Sequence, residues 1–560
     1  MLWQRWMVTI GLMISGLVSE GSAQATEKRL IAHSWDLLQV RPVDVARNVD
    51  AFAELPIDGV TLALRLEPES GMRVGFDTIM TDPLWDRAWF TEEVGHLKRC
   101  ASRSLQHNFL TSFWAPRQRL AWDDDAAWAR FASNLGVLSE LAHAGGAKGI
   151  LLDPEDYPGT GQYEHQLGDP PFAEAAALAR ARGAQVMRAM AEPYPDITIL
   201  TFWMLSLRTS YYMGYGDPCA LVVAAGDLWP AFINGMLDAL PVGARLVDGN
   251  EHGYRFEAAN QDFYLSAWAT QNKAIGLVAP ENRNKYRTQV LTGFGLYLDM
   301  YTNPPDSPWY FGPVAGSRLN HLALNCTQAL DAASEYVWVY GERLDWIEWR
   351  GVTRKTNPTW EEGLPGFLET LALARRPGDA AEVIARRREA GILTNLLSNG
   401  ECVSPEGLDG DGFHQGRLPA DWAFWQHEGR AQGVFGIDGG LGRGDQSSLK
   451  AEGVGDGCFI GKVPATAGMN YVVEAYSQGV SPQIRVRWNR KGAWFAEVKD
   501  VAIGFGEPGP DGWRHGIGLV QVPHGADAIV VLLGMRQGEG EETWFDSAGI
   551  YSVSDVRADD

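Results

Sequence analysis

Eight short apolar runs alternate with longer helical patterns between residue 29 and about residue 390, and this alternation limits the possible folds more than any other feature. Strands that alternate with helices build a parallel sheet covered by helices. Because eight repeats are present, the pattern favours a (β/α)8 TIM barrel over an open sheet. The predicted strands are 30–35, 59–65, 109–114, 149–152, 197–203, 244–247, 295–298 and 336–340. The predicted helices include 124–144, 171–191 and 318–334.

A second pattern begins near residue 390, where the helical periodicity ends and the segment 400–457 becomes rich in glycine. Short β-rich runs follow, separated by turn residues, which is typical of a β-sandwich. These runs are 471–476, 483–488, 518–522, 528–533 and 543–545. We therefore expect an α/β barrel domain over 26–392 and an all-β sandwich domain over 393–560.

The first 25 residues have the pattern of a secretory signal peptide. Arg5 supplies a positive charge, residues 7–18 form a short apolar run, and Ala23-Gln24-Ala25 fits a small-residue cleavage site. The apolar run is too short for a transmembrane helix, so no membrane span is predicted. We expect residues 1–25 to be removed from a protein that is secreted or periplasmic.

The composition makes the protein strongly acidic. Lys and Arg total 48 against 70 Asp and Glu, which gives a formal net charge of −22. Because this charge repels phosphate backbones, nucleic acid is not an expected partner. A polyanionic ligand would need a local basic pocket.

The chain contains five cysteines, so an exported protein would keep at least one of them unpaired. Only Cys402 and Cys458 lie close enough in sequence to suggest a local disulfide bridge. We do not expect disulfides to hold the fold together.

Acidic residues directly follow most of the predicted barrel strands. In a TIM barrel the carboxyl ends of the strands form one mouth, where the active site lies. The carboxylates are therefore expected to converge there. They are Asp36, Asp153, Glu155, Asp156, Asp248, Glu251, Asp299 and Glu342.

The segment Asp153-Pro154-Glu155 at the end of the fourth strand is the most informative of these. Strand alternation directs Asp153 and Glu155 to the same side. Two carboxylates placed close together resist joint ionisation, so one keeps its proton at neutral pH and can act as a general acid. We predict that Glu155 is this acid and Asp153 its neighbour. The alternative is a helix-capping Asp followed by a surface Glu.

Most glycosidases use two carboxylates that flank the scissile bond, so a second acid is needed. Glu251 is the first candidate, because it follows the sixth strand in a loop rich in Gly and polar residues. Strand ends two positions apart can face one another across a bound sugar. Asp299, after the seventh strand, is the rival candidate for the same role.

Aromatic residues also fall at or just beyond the predicted strand ends. Flat apolar rings at these places could stack on sugar rings, although large aromatics are more often part of a core. The predicted substrate-binding residues are Trp35, Trp114, Tyr157, Trp203, Tyr254 and Tyr301, with Trp309 and Trp346 in similar positions.

The fourth strand resembles the D-x-x-D-x-D-x-E motif of glycoside hydrolase family 18. Asp153 and Glu155 match the last two acids, whereas Lys148 and Leu151 occupy the earlier Asp positions. The resemblance implies that Glu155 is a proton donor with Asp153 beside it.

Signatures of zinc sites, serine hydrolases and phosphate-binding loops are absent from the sequence, so no cofactor and no metal are predicted.

The C-terminal part resembles the jelly-roll carbohydrate-binding modules of the cellulase-C type. The resemblance depends on Asn395-Leu396-Leu397-Ser398-Asn399-Gly400-Glu401, Leu418-Pro419-Ala420-Asp421-Trp422, Val522-Pro523-His524-Gly525-Ala526 and Trp544-Phe545-Asp546. It implies a jelly-roll sandwich that binds glycan. We predict Trp422, Trp425 and Trp494 as the candidate contacts, although any one of them taken singly is more often part of a core. Such modules often carry a calcium-linked Glu four residues after Asn399, where this chain has Val403, so calcium is left open.

Together these observations predict a secreted glycoside hydrolase, in which a TIM barrel that resembles those of glycoside hydrolases is followed by a carbohydrate-binding module. The expected partner is a poly- or oligosaccharide substrate. The alternative is a non-catalytic glycan-binding protein that uses the barrel as a scaffold. The number of acids at the strand ends favours the enzyme, since unpaired carboxylates in a cleft cost stability.

Overall fold

A computed structural model describes residues 27–66, 73–101, 105–212, 217–314, 316–390, 393–403, 412–443 and 447–553. The predicted signal peptide, residues 1–25, lies outside the described residues. The described chain forms an eight-stranded parallel barrel with flanking helices, followed by an antiparallel β-sandwich, so the predicted fold class is confirmed.

The barrel consists of eight parallel strands in sequence order. Barrel strands 1 to 8 are Arg29–Ser34, Gly59–Leu62, Phe109–Phe113, Gly149–Asp153, Thr198–Thr201, Arg245–Asp248, the bent strand Val290–Thr292 with Phe294–Tyr297, and Tyr336–Gly341. Strand 1 pairs with strand 8 from Arg29 opposite Tyr336 to Ser34 opposite Gly341, which closes the barrel. Each strand lies where the alternation predicted one.

Barrel strand 7 changes its pairing partner at Gly293. Its first segment, Val290–Thr292, pairs with strand 6, and its second segment, Phe294–Tyr297, pairs with strand 8. A Cβ at Gly293 would come within 2.9 Å of the Val247 side chain and 3.0 Å of the Tyr336 carbonyl oxygen. Only glycine fits this bend without displacing its neighbours.

Helices cover the outside of the barrel. In the helix Asp125–Gly145, the Asp124 side chain accepts a hydrogen bond from the Ala127 amide at 2.9 Å, and Gly146 ends the helix with a φ of 78°. The α-helices are Trp35–Leu38, Pro42–Arg47, Val49–Ala53, Thr91–Cys100, Asp125–Gly145, Phe172–Ala191, Ser206–Tyr212, Pro218–Ala225, Trp229–Ala239, Asp262–Asn272, Arg283–Gln289, Arg318–Ala332, Trp360–Gly363, Phe367–Arg375 and Ala380–Glu389. Within the described residues, no helix has the length and hydropathy that crossing a membrane requires.

Short 3-10 helices and one hairpin complete the barrel domain. The 3-10 helices are Arg87–Phe90, Glu251–Arg255, Ala258–Asn260, Ala274–Leu277, Pro280–Asn282, Leu298–Tyr301 and Pro377–Asp379. The hairpin pairs Arg65–Leu66 with Val74–Gly75. The hairpin and two of the 3-10 helices, Glu251–Arg255 and Leu298–Tyr301, follow strands 2, 6 and 7, on the side of the barrel where the candidate site lies.

The sandwich is built from two antiparallel sheets that enclose a second apolar core. Sheet one contains, in spatial order, Phe413–Gln415, Val434–Asp438, Ser448–Glu452, Glu542–Ser552, Asn470–Gly479, Arg514–Gln521 and Phe505–Pro508. Sheet two contains Ala423–Gln426, Gly457–Pro464, Ala528–Met535, Gln483–Arg490 and Ala493–Trp494, with Val501–Ile503 paired to Gln483–Arg490. All five β-runs predicted for this region are observed as strands.

The barrel and the sandwich are packed against each other. The helix Ala380–Glu389 lies on the outer face of sheet one, where Val383 and Ile384 belong to one buried cluster with Val472 and Tyr551. The Arg387 guanidinium donates a hydrogen bond to the Val553 carbonyl oxygen at 3.2 Å. The last helix before the sandwich therefore contributes to the sandwich's own packing.

The predicted bridge between Cys402 and Cys458 is wrong, because neither cysteine forms a disulfide. Cys402 lies at the start of the sandwich, and its thiol donates to the Gly400 carbonyl oxygen at 3.4 Å. Cys458 lies in a strand of sheet two and faces a different buried cluster. Proximity in sequence did not bring the two side chains to the same side of the sheet.

Candidate active site

A cavity of about 1000 Å³ lies at the carboxyl ends of the barrel strands. Acidic groups and aromatic rings line it together, which is the composition expected of a site that binds a polar ligand with apolar faces. The lining residues include His33, Trp35, Asp77, Phe113, Arg117, Asp153, Glu155, Tyr157, Phe202, Glu251, His252, Tyr254, Arg255, Tyr297, Trp309, Tyr340 and Glu342.

Asp153 and Glu155 are positioned by the end of barrel strand 4. Asp153 is the last residue of the strand and is only 1% exposed. Its Oδ1 accepts the Glu155 amide at 2.9 Å, and its Oδ2 accepts the Tyr157 hydroxyl at 3.1 Å. The same hydroxyl donates to the Glu155 carboxylate. Tyr157 thus ties the two acids into one hydrogen-bonded unit.

Glu251 reaches the cavity through a sharp turn after barrel strand 6. Gly249 has no room for a side chain, because a Cβ there would lie 2.0 Å from the Thr201 carbonyl oxygen. Asn250 has a φ of 43°, and its amide group donates to the Asp248 and Gly293 carbonyl oxygens at 3.0 and 3.1 Å. The Glu251 amide then donates to the Phe202 carbonyl oxygen at 2.9 Å. These contacts fix the backbone from which the Glu251 side chain extends.

The carboxyl groups of Glu155 and Glu251 are in hydrogen-bond contact with each other. Burial, and then repulsion from the Glu155 and Asp153 carboxylates, raises the pKa of Glu251 to about 9. Burial also raises the pKa of Glu155, although the hydrogen bonds from Tyr157 and Glu251 oppose that rise. Burial and the nearby Glu155 raise the pKa of Asp153 well above its usual range. The cluster therefore retains a proton at neutral pH, and the hydrogen bonds favour Glu251 as its holder.

Two histidines beside the acids do not carry charge at neutral pH. Burial lowers the pKa of His33 to about 3 and that of His252 to about 4. The His33 ring is hydrogen-bonded to the Thr61 hydroxyl at 2.8 Å and is surrounded by aromatic rings. Proton transfer near neutral pH in this cavity is thus left to the carboxyl groups.

Three acids that follow barrel strands act as structural clamps instead of facing the cavity. The Asp248 carboxylate accepts the amides of Met204, Leu205 and Ser206 at 2.8–2.9 Å, which fixes the loop after strand 5. Asp36 accepts the Trp346 amide and the Trp349 indole, both at 3.0 Å. Asp299 is fully buried outside the cavity and accepts the Glu342 amide at 2.7 Å. The structure therefore brings Asp153, Glu155 and Glu251 together, and it does not bring Asp299 to them.

The predicted aromatic residues divide in the same way. Trp35, Tyr157 and Tyr254 line the cavity, as does Trp309. Four others lie outside the cavity lining. Of these, Trp114, Tyr301 and Trp346 are buried, and Trp203 packs against Trp229 with 5.3 Å between ring centroids.

Several lining residues were missed by the sequence prediction. His33, Phe202 and Tyr340 are on barrel strands or directly after one, and Tyr297 ends strand 7. Strand alternation is the signal that could have found them. Phe202 and Phe113 line the cavity, so their neighbours Trp203 and Trp114 point to the opposite side of the barrel wall.

Cationic groups are also present at the cavity rim. Arg117 and Arg255 are exposed there, and the Arg255 guanidinium lies 3.9 Å from the centre of the Trp309 ring. In the part of the chain that the structure describes, no three His, Cys, Asp or Glu side chains are grouped as ligands for a metal ion.

No protein-family model and no curated protein matches this sequence. Similar solved structures include the C-terminal family 22 carbohydrate-binding module of Clostridium thermocellum Xyn10B, at 14% identity and a TM-score of 0.19, over 27% of this chain and 99% of that one. TmCBM61, solved with β-1,4-galactotriose, is 14% identical with a TM-score of 0.19, over 28% and 99%. The enzymatically active domain of bacteriophage CBA120 tailspike protein 4 is 11% identical with a TM-score of 0.22, and the match covers 28% of this chain but only 21% of that one.

Proposed function

We propose that this protein is an exported glycoside hydrolase that uses Glu155 and Glu251 as its pair of catalytic carboxyl groups. The observation that carries the proposal is the hydrogen-bond contact between these two groups in a cavity of about 1000 Å³ lined by aromatic rings. Glycoside hydrolysis requires one carboxyl group that holds a proton and one that is ionised. A coupled pair that shares a proton supplies both.

We assign the proton donor to Glu251 and the ionised group to Glu155, which reverses the roles expected from the sequence. The Tyr157 hydroxyl donates to Glu155, so that carboxylate is already an acceptor. The pKa of Glu251, raised to about 9 chiefly by burial, keeps its proton in place at neutral pH. A proton donor and an ionised partner are thus available before any substrate binds.

The direct contact between Glu155 and Glu251 leaves no room for a water between their carboxyl groups, which favours a retaining mechanism over an inverting one. Inverting enzymes keep their carboxyl groups about 6.5–9.5 Å apart to hold a water, whereas retaining enzymes keep them about 5–5.5 Å apart. A hydrogen-bonded pair is closer to the arrangement in retaining enzymes. The two carboxyl groups have to move slightly apart to admit the glycosidic oxygen.

In the proposed first step, Glu251 gives its proton to the glycosidic oxygen as the bond from that oxygen to C1 breaks, and the Glu155 carboxylate bonds to C1. In the second step, the Glu251 carboxylate removes a proton from water, whose oxygen bonds to C1 and releases Glu155. Trp35, Tyr254 and Trp309 would stack on the sugar rings.

The test is hydrolysis of a panel of defined glycans by the wild-type protein and by Glu155→Gln and Glu251→Gln. Each variant should lose about 10²–10⁴ in kcat, the usual contribution of such groups. Glu348→Gln is a matched control, because Glu348 is an exposed acid beyond strand 8 and outside the cavity lining. Wild-type turnover in either cavity variant would refute the pair. Glycan binding without turnover by the wild type would favour the scaffold alternative.

A glycoside with a good leaving group separates the two roles, because its departure needs little help from a proton. Glu251→Gln should keep most of its first-step rate on a dinitrophenyl glycoside, whereas Glu155→Gln should not. In the wild type, kcat/KM should fall as the pH passes about 9, where Glu251 loses its proton. If Glu155→Gln keeps its first-step rate on the dinitrophenyl glycoside and Glu251→Gln does not, Glu155 is the proton donor.

A further inference from the structure

A groove of about 350 Å³ lies on the outer face of sheet two of the sandwich, away from the barrel cavity. The pairing register of the strands shows which side chains form the floor of the groove. One row across the sheet is Trp425, Cys458, Gly534 and Gln483, and the next row on the same face contains Ile460, Leu532 and Arg485. The alternate residues of these strands, such as Phe459 and Leu533, point into the sandwich core. The outer face of the sheet is therefore a formed surface with a fixed set of side chains.

Two tryptophans flank this groove and are largely open to solvent. Trp425 is 50% exposed and Trp494 is 52% exposed. The third predicted contact of the sandwich, Trp422, is buried and lies outside the groove. Exposed rings on either side of an open groove can stack on the faces of sugar units.

Three arginines and one aspartate line the groove, in a protein whose net charge is −22. The Arg487 guanidinium donates hydrogen bonds from Nε and Nη2 to the Asp500 carboxylate, and it lies 5.2 Å from the centre of the Trp494 ring. Arg536 forms an ion pair with Asp456, with 3.6 Å between Nε and Oδ1.

Arg485 is exposed, and within the described residues its guanidinium has no hydrogen-bond or ion-pair partner. Arg485 lies beside Arg487 and Arg536, which both pair with carboxylates, so its guanidinium is available to donate two hydrogen bonds to an anion.

We propose that this groove binds a glycan chain that carries carboxylate or sulfate groups, with Arg485 contacting the anion and Trp425 and Trp494 stacking on the sugar rings. The inference depends on the proposed function only for the class of ligand. Charge favours an anionic chain over a neutral one, because a guanidinium without an ion-pair partner binds an ionised acceptor more strongly than a neutral hydroxyl. A nucleic acid also carries a row of anionic groups, so binding of DNA is measured beside that of the glycans as an outcome that would contradict the proposal.

The test measures binding of the full-length protein to polygalacturonate and to dextran sulfate by titration calorimetry. Fully methyl-esterified pectin and unmodified dextran are the uncharged counterparts, and a single-stranded DNA oligonucleotide is a non-glycan anion. Arg485→Gln should weaken anionic glycan binding about tenfold, the size expected for one charge-assisted contact. Trp425→Ala should weaken it as well, and binding should fall when salt is raised. Whichever polymer binds identifies the anion.

Arg490→Gln is the matched control, because Arg490 lies at the end of the same strand, pairs with Glu497 and is outside the groove. If Arg485→Gln fails to fold, Arg536→Gln replaces it. Equal binding of charged and uncharged polymers, equal binding of DNA, or unchanged binding by Arg485→Gln would overturn the inference. Hydrolysis of short oligosaccharides is measured separately. If it persists while anionic binding is absent, only this inference fails; if it is absent while groove binding holds, only the proposed hydrolase fails.

Discussion

Acidic residues that follow strands of the same barrel have different roles, because backbone amides donate hydrogen bonds to some of them and not to others. The Asp248 carboxylate accepts three backbone amides, which satisfies its charge and makes it a clamp. The Glu251 carboxyl instead contacts another carboxyl group and is left with a raised pKa. A carboxylate without backbone donors is costly to bury, and the raised pKa that results is the property that the proposed proton donor requires.

The raised pKa of Glu251 makes a prediction about stability. In the unfolded chain its pKa is the ordinary 4.5, whereas in the folded protein burial raises it to about 9. Between these values the folded protein keeps a proton that the unfolded chain loses, so the free energy of unfolding falls as the pH rises. Glu251→Gln removes this pH-dependent fall in the free energy of unfolding, because Gln does not ionise. We expect its Tm to exceed that of the wild type by about 2 °C or more at pH 8, and the difference to shrink towards pH 4.

Scanning calorimetry at both pH values checks this prediction, with Glu348→Gln as the exposed-acid control. A Tm difference that is the same at pH 4 and pH 8 would show that the substitution acts through packing instead of ionisation.

Asn250 is predicted to be a positioning residue for Glu251. Its left-handed φ of 43° and its two amide hydrogen bonds both fix the turn. Asn250→Ala loses the hydrogen bonds and adds backbone strain, whereas Asn250→Gly loses the hydrogen bonds alone. We expect kcat to fall about 10- to 100-fold in the alanine variant and less in the glycine variant, with KM nearly unchanged. Steady-state kinetics below the Tm of each variant measures this; a lower Tm with normal kcat would mean that Asn250 is only structural.

Part of the candidate site could be predicted from the sequence, and two of the misplaced aromatic residues, Trp114 and Trp203, have the same physical cause. Asp153, Glu155 and Glu251 were found because acids after strand ends share one mouth. Trp114 and Trp203 were placed in the cavity although each is one residue out of phase with a true lining residue, Phe113 and Phe202. Strand alternation fixes that phase only when the register of the barrel is known.

At the level of elements, the barrel strands and main helices were predictable because their apolar periodicity is strong and local. The helix predicted over 171–191 is observed as Phe172–Ala191. The bend of strand 7 at Gly293 could not be predicted, since it results from contacts with Val247 and Tyr336, which are distant in sequence. The early sandwich strands, such as Phe413–Gln415, are short and lie in a segment rich in glycine, so they give little pattern.

The helix Ala380–Glu389 leads to a prediction about fragments of the sandwich. It precedes the predicted boundary at residue 393, yet it covers Val472 and Tyr551 on sheet one. A fragment 395–560 exposes this apolar face, whereas a fragment 377–560 keeps it covered. We expect the longer fragment to be monomeric and cooperatively folded and the shorter one to aggregate or to unfold at least several degrees lower. Size-exclusion chromatography and thermal melts decide this, and equal behaviour of both fragments would contradict it.

At the level of the whole molecule, the two domains share packing instead of being joined by a loose linker. Ala258 and Leu324 of the barrel belong to the buried cluster of the sandwich, and Ile384 joins the cluster on the other side of sheet one. Multi-domain proteins usually unfold in separate steps. Here we expect the shared clusters to couple the two domains, because unfolding of either one would expose apolar surface on the other.

The last prediction is therefore that the full-length protein unfolds in a single calorimetric transition. Ile384→Asp places a charge in the fully buried cluster between the helix Ala380–Glu389 and sheet one, so it should uncouple the domains and split the transition in two. Val242→Asp is the control, because Val242 is 90% exposed and the same change there should leave one transition. Two separate transitions in the wild-type protein would show that the shared clusters are too weak to couple barrel and sandwich.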